Sequence, residues 1–247
     1  MKNLFGFTRA VIKPRYALLT PDGFVNSALP GWSGASCVVL ISPAMGAKFA
    51  QLLITLAKDG RGAGHTDGME LFVYVLDGGC TLALSRKKHQ LMNGSFAFLP
   101  PLTDYVFSNA DEGTRLLIFQ KVYQALDGLK DSEAIIDQAS EHPGVPFLGD
   151  PDARLQTLLP DKPEFDMAVN IFTYQPGATL PMVETHIMEH GMMILSGQGI
   201  YRLDNDWHPV QAGDVIWLAP YCPQWFVAMG KTPASYIYYK DVNRSPM

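Results

Sequence analysis

One unit of sequence occurs twice in this chain, and it constrains the fold more than any other feature. In the first half, Leu71-Phe72-Val73-Tyr74-Val75-Leu76 runs up to Gly78; Gly94 follows, then Ser95-Phe96-Ala97-Phe98-Leu99 and Pro100. In the second half, Met192-Met193-Ile194-Leu195 runs up to Gly197; Gly213 and Asp214 follow, then Val215-Ile216-Trp217-Leu218 and Pro220. The two glycines stand sixteen positions apart in both halves. Short apolar runs bounded by Gly or Pro read as strands joined by turns. The same arrangement met twice is an internal duplication of a small β-barrel.

Further runs of the same kind are Gln51–Leu56, Leu116–Phe119 and Ala168–Phe172. The 22 glycines and 18 prolines supply the turns between them. One stretch differs. From Gln124 to Glu141 the chain is polar, with Asp127, Lys130, Asp131, Glu133 and Asp137, and a Pro/Gly-rich segment from His142 to Pro151 follows. The expectation is an all-β chain of two tandem barrels with few short helices. Residues 1–35 form an N-terminal arm, 36–123 the first barrel, 124–160 a linker and 161–247 the second barrel.

Composition narrows the partners. Apolar residues make up 47% of the 247, enough for a sizeable core. A net charge of −5 without a basic stripe excludes a protein that tracks a nucleic-acid backbone. Cys37, Cys80 and Cys222 are odd in number and far apart, with no CxxC, so neither a zinc ribbon nor a disulfide framework is expected. A reducing, cytoplasmic setting follows. Met1-Lys2-Asn3-Leu4-Phe5 does not open an apolar leader, and no run approaches the ~20 apolar residues of a spanning helix.

The chemistry concentrates between Gly177 and Gly197. Glu184 and His186 are two apart, which on a strand puts both on one face. A turn and the next strand can return His190 to that face. One carboxylate and two imidazoles inside a barrel make a divalent-metal site, and mixed oxygen and nitrogen donors suit Mn or Fe, with Zn, Ni and Co open.

This segment resembles the first cupin motif, a Gly, a His-x-His, a Glu and a closing Gly. Here Glu184 stands for the first His and His190 for the Glu. The second cupin motif, a Gly, a Pro and a fourth His, reads Gly213, Pro220 and Gln224. The resemblance implies two tandem cupin (jelly-roll) barrels, with Gln224 as fourth ligand.

The permuted ligand set is more specific than the cupin match. Together with Gly197-Gln-Gly199-Ile-Tyr201, Tyr236-Ile-Tyr238-Tyr-Lys240-Asp-Val-Asn243-Arg244, Tyr16-Ala-Leu-Leu-Thr-Pro21-Asp-Gly23 and Leu29-Pro-Gly31, it resembles the (S)-ureidoglycine aminohydrolases. The likeness covers nearly the whole chain and is strongest from Phe165 to Arg244. It implies a Mn²⁺-dependent hydrolase of purine-ureide (allantoin) breakdown that turns (S)-ureidoglycine into (S)-ureidoglycolate and ammonia, and a homo-oligomer. It also implies a metal held by Glu184, His186, His190 and Gln224. Tyr236 and Lys240, four apart and so on one strand face, join Glu184 and Gln224 at the substrate, with Tyr201 beside them.

Plainer readings compete. His186 and His190 could merely line a barrel, Tyr236 could be a packed aromatic, and Lys240 a solvent-facing charge. Asp214 reads as a turn residue, Cys222 as a small buried one, and Met182, Met188, Met192 and Met193 as barrel core. His65 and Glu70 invite a second metal site, but no His or Gln follows Pro100-Pro101 at the matching offset. The first barrel therefore reads as metal-free and structural. His89, His142 and His208 read as surface residues. Two other functions compete: an iron cupin dioxygenase or isomerase on another small acid, which would consume oxygen or hold iron, and a non-catalytic ligand-binding bicupin, which would have degenerate ligands in both halves.

Overall fold

The computed structural model describes residues 6–130 and 132–244. Met1–Phe5, read above for a leader, and Asp131 of the polar stretch lie outside them. The described chain is almost entirely strand, with three short 3-10 turns. The first eleven strands are β1 (Val11–Ile12), β2 (Tyr16–Leu19), β3 (Trp32–Ile41), β4 (Phe49–His65), β5 (Met69–Asp77), β6 (Gly79–Leu84), β7 (Lys87–Met92), β8 (Ser95–Leu99), β9 (Asp104–Ser108), β10 (Thr114–Val122) and β11 (Ile135–Gln138). Then come β12 (Val145–Phe147), β13 (Asp150–Thr157), β14 (Met167–Tyr174), β15 (His190–Ser196), β16 (Gln198–Leu203), β17 (Asp206–Gln211), β18 (Val215–Leu218), β19 (Gln224–Met229) and β20 (Ala234–Asp241). The all-β architecture expected from the duplicated unit is the one observed.

The strands form two compact units. One is built on Val25–Pro143, Leu158–Ala168 and the chain from Val242. Its nine-stranded sheet runs β11-β8-β5-β10-β4-β9-β6-β7, with β3 on β4. Side chains alternate across each strand, so Leu71, Val73 and Val75 of β5 join Leu116 and Ile118 of β10 in its core. Glu70 alternates with Leu71 and is fully buried away from that core. It meets Lys121 at 3.9 Å, while Lys121 donates to Asp166 at 2.5 Å. Gln124 donates its backbone N–H to the same Asp166 oxygen, and Arg244 lies 4.0 Å from it.

The second unit comprises the chain up to Phe24, Gly144–Thr157 and Val169–Asp241. Its eight-stranded sheet has the order β1-β2-β18-β15-β20-β14-β13-β12, and β17-β16-β19 form a three-stranded sheet. Fully buried Tyr16, Tyr174, Tyr201 and Phe226 pack with Leu18, Met192, Ile216 and Tyr236. Burying each such side chain contributes roughly 1.5–3 kcal/mol. Gly199 is required by closeness: a Cβ there would sit 2.3 Å from the Phe226 ring.

Several local readings are refined. Residues 1–35 do not act as one arm: β2 pairs with β18, Tyr16 opposite Leu218, inside the second unit. The expected linker carries strands, β11 on β8 and the β12–β13 hairpin. Asp214 does follow a turn glycine, but it is fully buried and takes a two-pronged ion pair from Arg9 at 2.7 and 2.9 Å. His208 is half-buried and bonds to the Tyr16 hydroxyl at 3.0 Å. Met192 and Met193 are core, whereas Met182, between the isolated bridges at Thr179 and Glu184, is 54% exposed.

Candidate metal centre and active site

The segment around Glu184 is not the regular strand its spacing predicts. It touches β19 at isolated antiparallel bridges, Thr179 with Val227 and Glu184 with Gln224, and Glu184 and Gln224 exchange backbone hydrogen bonds of 2.9 and 3.0 Å. Two residues on, the Tyr221 N–H donates to the His186 carbonyl at 2.6 Å. These bonds hold Glu184 and His186 against Gln224, which itself opens β19 and pairs with Leu203. His190 opens β15 and pairs with Leu218 on one side and Lys240 on the other. Leu218 in turn pairs with Tyr16, so one row crosses the sheet from Tyr16 to Lys240.

The four side chains converge. His186 Nε2 lies 3.2 Å from His190 Nε2, 3.2 Å from Gln224 Nε2 and 3.9 Å from the Glu184 carboxylate. His190 Nδ1 faces the Tyr239 carbonyl at 3.2 Å. An Nδ1–H donated there leaves the Nε2 lone pair pointing at His186, the orientation of a ligating histidine. Burial, His186 and Lys240 push the His190 pKa down to about 3, and burial and Lys240 lower His186 too. Two uncharged imidazoles with nitrogens in contact, beside a carboxylate and an amide, form a donor set that suits a first-row divalent ion. Among the described residues, His, Cys, Asp and Glu side chains alone make no three-membered metal cluster; the set depends on the Gln224 amide.

A cavity of about 130 Å³ opens over these groups. Glu184, His186, His190, Gln224, Tyr201, Tyr236 and Lys240, all anticipated from the sequence, line it together. Burial raises the Glu184 pKa, against the pull of the Lys240 ammonium. Tyr201 donates to Gln224 Oε1 at 3.0 Å, and Tyr236 shares a hydroxyl contact of 3.1 Å with Tyr174. Burial holds Tyr201 and Tyr236 well above the usual phenol range, so both stay protonated.

Other residues of the site were not singled out in the sequence. Tyr238, Phe172, Phe147 and Leu155 also line the cavity. Phe147 and Leu155 belong to the β12–β13 hairpin, inside the stretch read as a linker, and no local signal marks them. Tyr238 had a signal: it lies midway between Tyr236 and Lys240 at the same two-residue spacing. His65 and Glu70 do not meet in one site. His65 is exposed and bonds to Asp67 at 2.8 Å, while Glu70 is buried beside Lys121.

Comparison with known proteins adds to this geometry. Residues 170–239 match the cupin domain family. The chain is 38% identical to the (S)-ureidoglycine aminohydrolase of Arabidopsis thaliana, over all of this chain and 82% of that one. It is 38% identical to the (S)-ureidoglycine aminohydrolase of Escherichia coli strain K12, over 96% of this chain and 92% of that one. Among solved structures, a glyoxylate-induced protein from Pseudomonas aeruginosa superposes with a TM-score of 0.90 at 31% identity, covering 100% of this chain and 95% of that one.

Proposed function

The chain belongs to the (S)-ureidoglycine aminohydrolase family and is an enzyme, and from that premise we propose that it converts (S)-ureidoglycine and water to (S)-ureidoglycolate and ammonia, with Mn²⁺, in purine-ureide breakdown. The observation that carries the reading is the meeting of Glu184, His186, His190 and Gln224 on one side of a small cavity whose wall also holds Tyr236 and Lys240.

Glu184, His186, His190 and Gln224 are the residues that would hold the ion, which when bound supplies Lewis acidity toward substrate and water. In the overall change one C–N bond at the α-carbon breaks and one C–O bond forms. Glu184 is the one carboxylate among the four, the group able to take a proton from water and return it to the departing amine. Lys240 offers a cation to the substrate carboxylate, and Tyr236 a protonated phenol. The apolar walls from Phe172, Phe147 and Leu155 exclude bulk water, which strengthens those contacts.

The first unit is proposed as a metal-free scaffold. Counting seven residues back from Gly197 gives His190; the same count from Gly78 gives Leu71. Gln224 pairs with Leu203, six after Gly197, and its counterpart opposite Leu84, six after Gly78, is Tyr105. Neither Leu71 nor Tyr105 replaces an imidazole or an amide as ligand. Homo-oligomeric assembly and a cytoplasmic setting are likewise proposals; no described helix is long and apolar enough to cross a membrane.

The test is direct. Ureidoglycine is generated in situ from allantoate by an allantoate amidohydrolase, and its conversion is followed by NMR with and without this protein. Accelerated ureidoglycolate and ammonia formation is expected. Oxygen consumption instead, or no acceleration, overturns the reading.

A further inference from the structure

Tyr236, Tyr238 and Lys240 alternate along β20 and all line the cavity. Other hydroxyls of the site bond within the protein: Tyr201 donates to Gln224, and of Tyr236 and Tyr174 one donates to the other. Tyr238 differs. Its oxygen receives a hydrogen bond from Asn170 Nδ2 at 3.1 Å. Asn170 is 4% exposed, and its Oδ1 has no partner among the described residues. The reversed amide would leave both N–H groups of Asn170 without a partner, where the present one leaves one N–H and the C=O, and an orphaned N–H is the rarer of the two in folded proteins. So the amide holds the phenol oxygen as an acceptor, and the phenol proton has to point elsewhere. Among the described residues, no second side chain takes it. The cavity is the remaining direction.

The ring is also held in place. It stacks on Phe172, with centroids 5.8 Å apart and planes 13° apart, and its edge meets His190 at 5.5 Å. A fixed, protonated donor beside the candidate metal ligands is a built contact for a ligand acceptor.

We propose that Tyr238 is a substrate-binding residue whose hydroxyl donates a hydrogen bond to the ureido carbonyl oxygen, an assignment that rests on the (S)-ureidoglycine reading. Lys240 is the charged complement of the carboxylate, which leaves the neutral phenol for the neutral carbonyl. Residues two apart on a strand are about 7 Å apart, a spacing suited to a substrate whose carboxylate and ureido group flank one carbon.

The experiment uses two competitive probes on the Mn²⁺-loaded enzyme: hydantoate, which keeps carboxylate and ureido group, and glycolate, which lacks the ureido group. Tyr238→Phe is expected to raise the hydantoate Ki about tenfold, the loss of one neutral hydrogen bond, and to leave the glycolate Ki and the Mn²⁺ EPR spectrum unchanged. The KM for ureidoglycine should rise more than kcat falls. Should the lone Phe destabilise the fold by stranding Asn170 Nδ2, the pair Asn170→Leu with Tyr238→Phe removes both polar partners and is read the same way. An unchanged hydantoate Ki, or an equal rise for glycolate, overturns the assignment. A wild-type protein that releases no ammonia from ureidoglycine overturns the function itself, and does so before any variant is compared.

Discussion

His190 and Lys240 stand directly opposite each other on β15 and β20. A neutral imidazole and an ammonium therefore share one wall of the cavity, and the ammonium is one of the causes that hold His190 unprotonated. The pair joins the proposed metal side of the site to the proposed carboxylate side.

Replacing the cation tests that second side. Lys240→Met should lower kcat/KM about thirtyfold, the equivalent of one charge-assisted contact of about 2 kcal/mol. Lys240 is half-buried, so the fold should stand. Steady-state ammonia release at low substrate measures the effect. Unchanged kcat/KM would remove Lys240 from the substrate site.

Metal removal tests the first side. Prolonged chelation should abolish ammonia release, and Mn²⁺ should restore it. Glu184→Gln takes away the one carboxylate of the set, with an expected loss of roughly a hundredfold or more and poor Mn²⁺ retention by atomic absorption. Wild-type turnover in either preparation contradicts the proposed role.

The buried Glu70 predicts a pH dependence of stability. Burial, then the neighbouring Asp166, raises its pKa from 4.5 to about 10, against the attraction of Lys121 and Arg244. The folded chain thus binds a proton that the unfolded chain releases above pH 4.5. This group's contribution is fully present below pH 4.5 and is lost as pH rises toward 10. Glu70→Gln keeps the shape and needs no proton. It should flatten that slope and raise stability at pH 8 by about 1 kcal/mol or more, read from urea unfolding at pH 5 and pH 8. A variant with the wild-type slope rules the account out.

The N-terminal segment should be essential to the catalytic unit. Arg9→Met strands the fully buried Asp214 carboxylate; because Arg9 is itself 31% exposed, the expected cost is about 2–3 kcal/mol, below that of a fully buried pair. A fragment of residues 161–247 lacks both β2 and the β12–β13 hairpin, and should not fold by circular dichroism. A cooperative melt from that fragment would show that β2 is dispensable.

Much of the candidate site was legible because its proposed ligands lie close in sequence. Glu184, His186 and His190 fall within seven residues, and Gln224 follows a recognisable Gly and Pro. Tyr238 was equally open to period-two reading, yet an aromatic between two others on a strand looks like packing until its hydroxyl partner is seen. Asn170 and Tyr16 could not be found that way. Their relation to the site exists only through sheet pairing with strands far along the chain.

What the sequence determined by itself was therefore the duplicated all-β unit, the segment that carries the proposed ligands and the likeness to one enzyme family. Local spacing fixes strand faces and turns, and those needed nothing else. The tertiary structure decided which residues complete each unit: that β2 belongs beside β18, that the supposed linker supplies Phe147 and Leu155, that Asp214 is a buried carboxylate paired with Arg9, and that Glu70 is a buried, protonated acid rather than a ligand. The placing of β2 and the partner of Asp214 depend on pairing across many tens of residues, where burial and register, not local propensity, choose the partner.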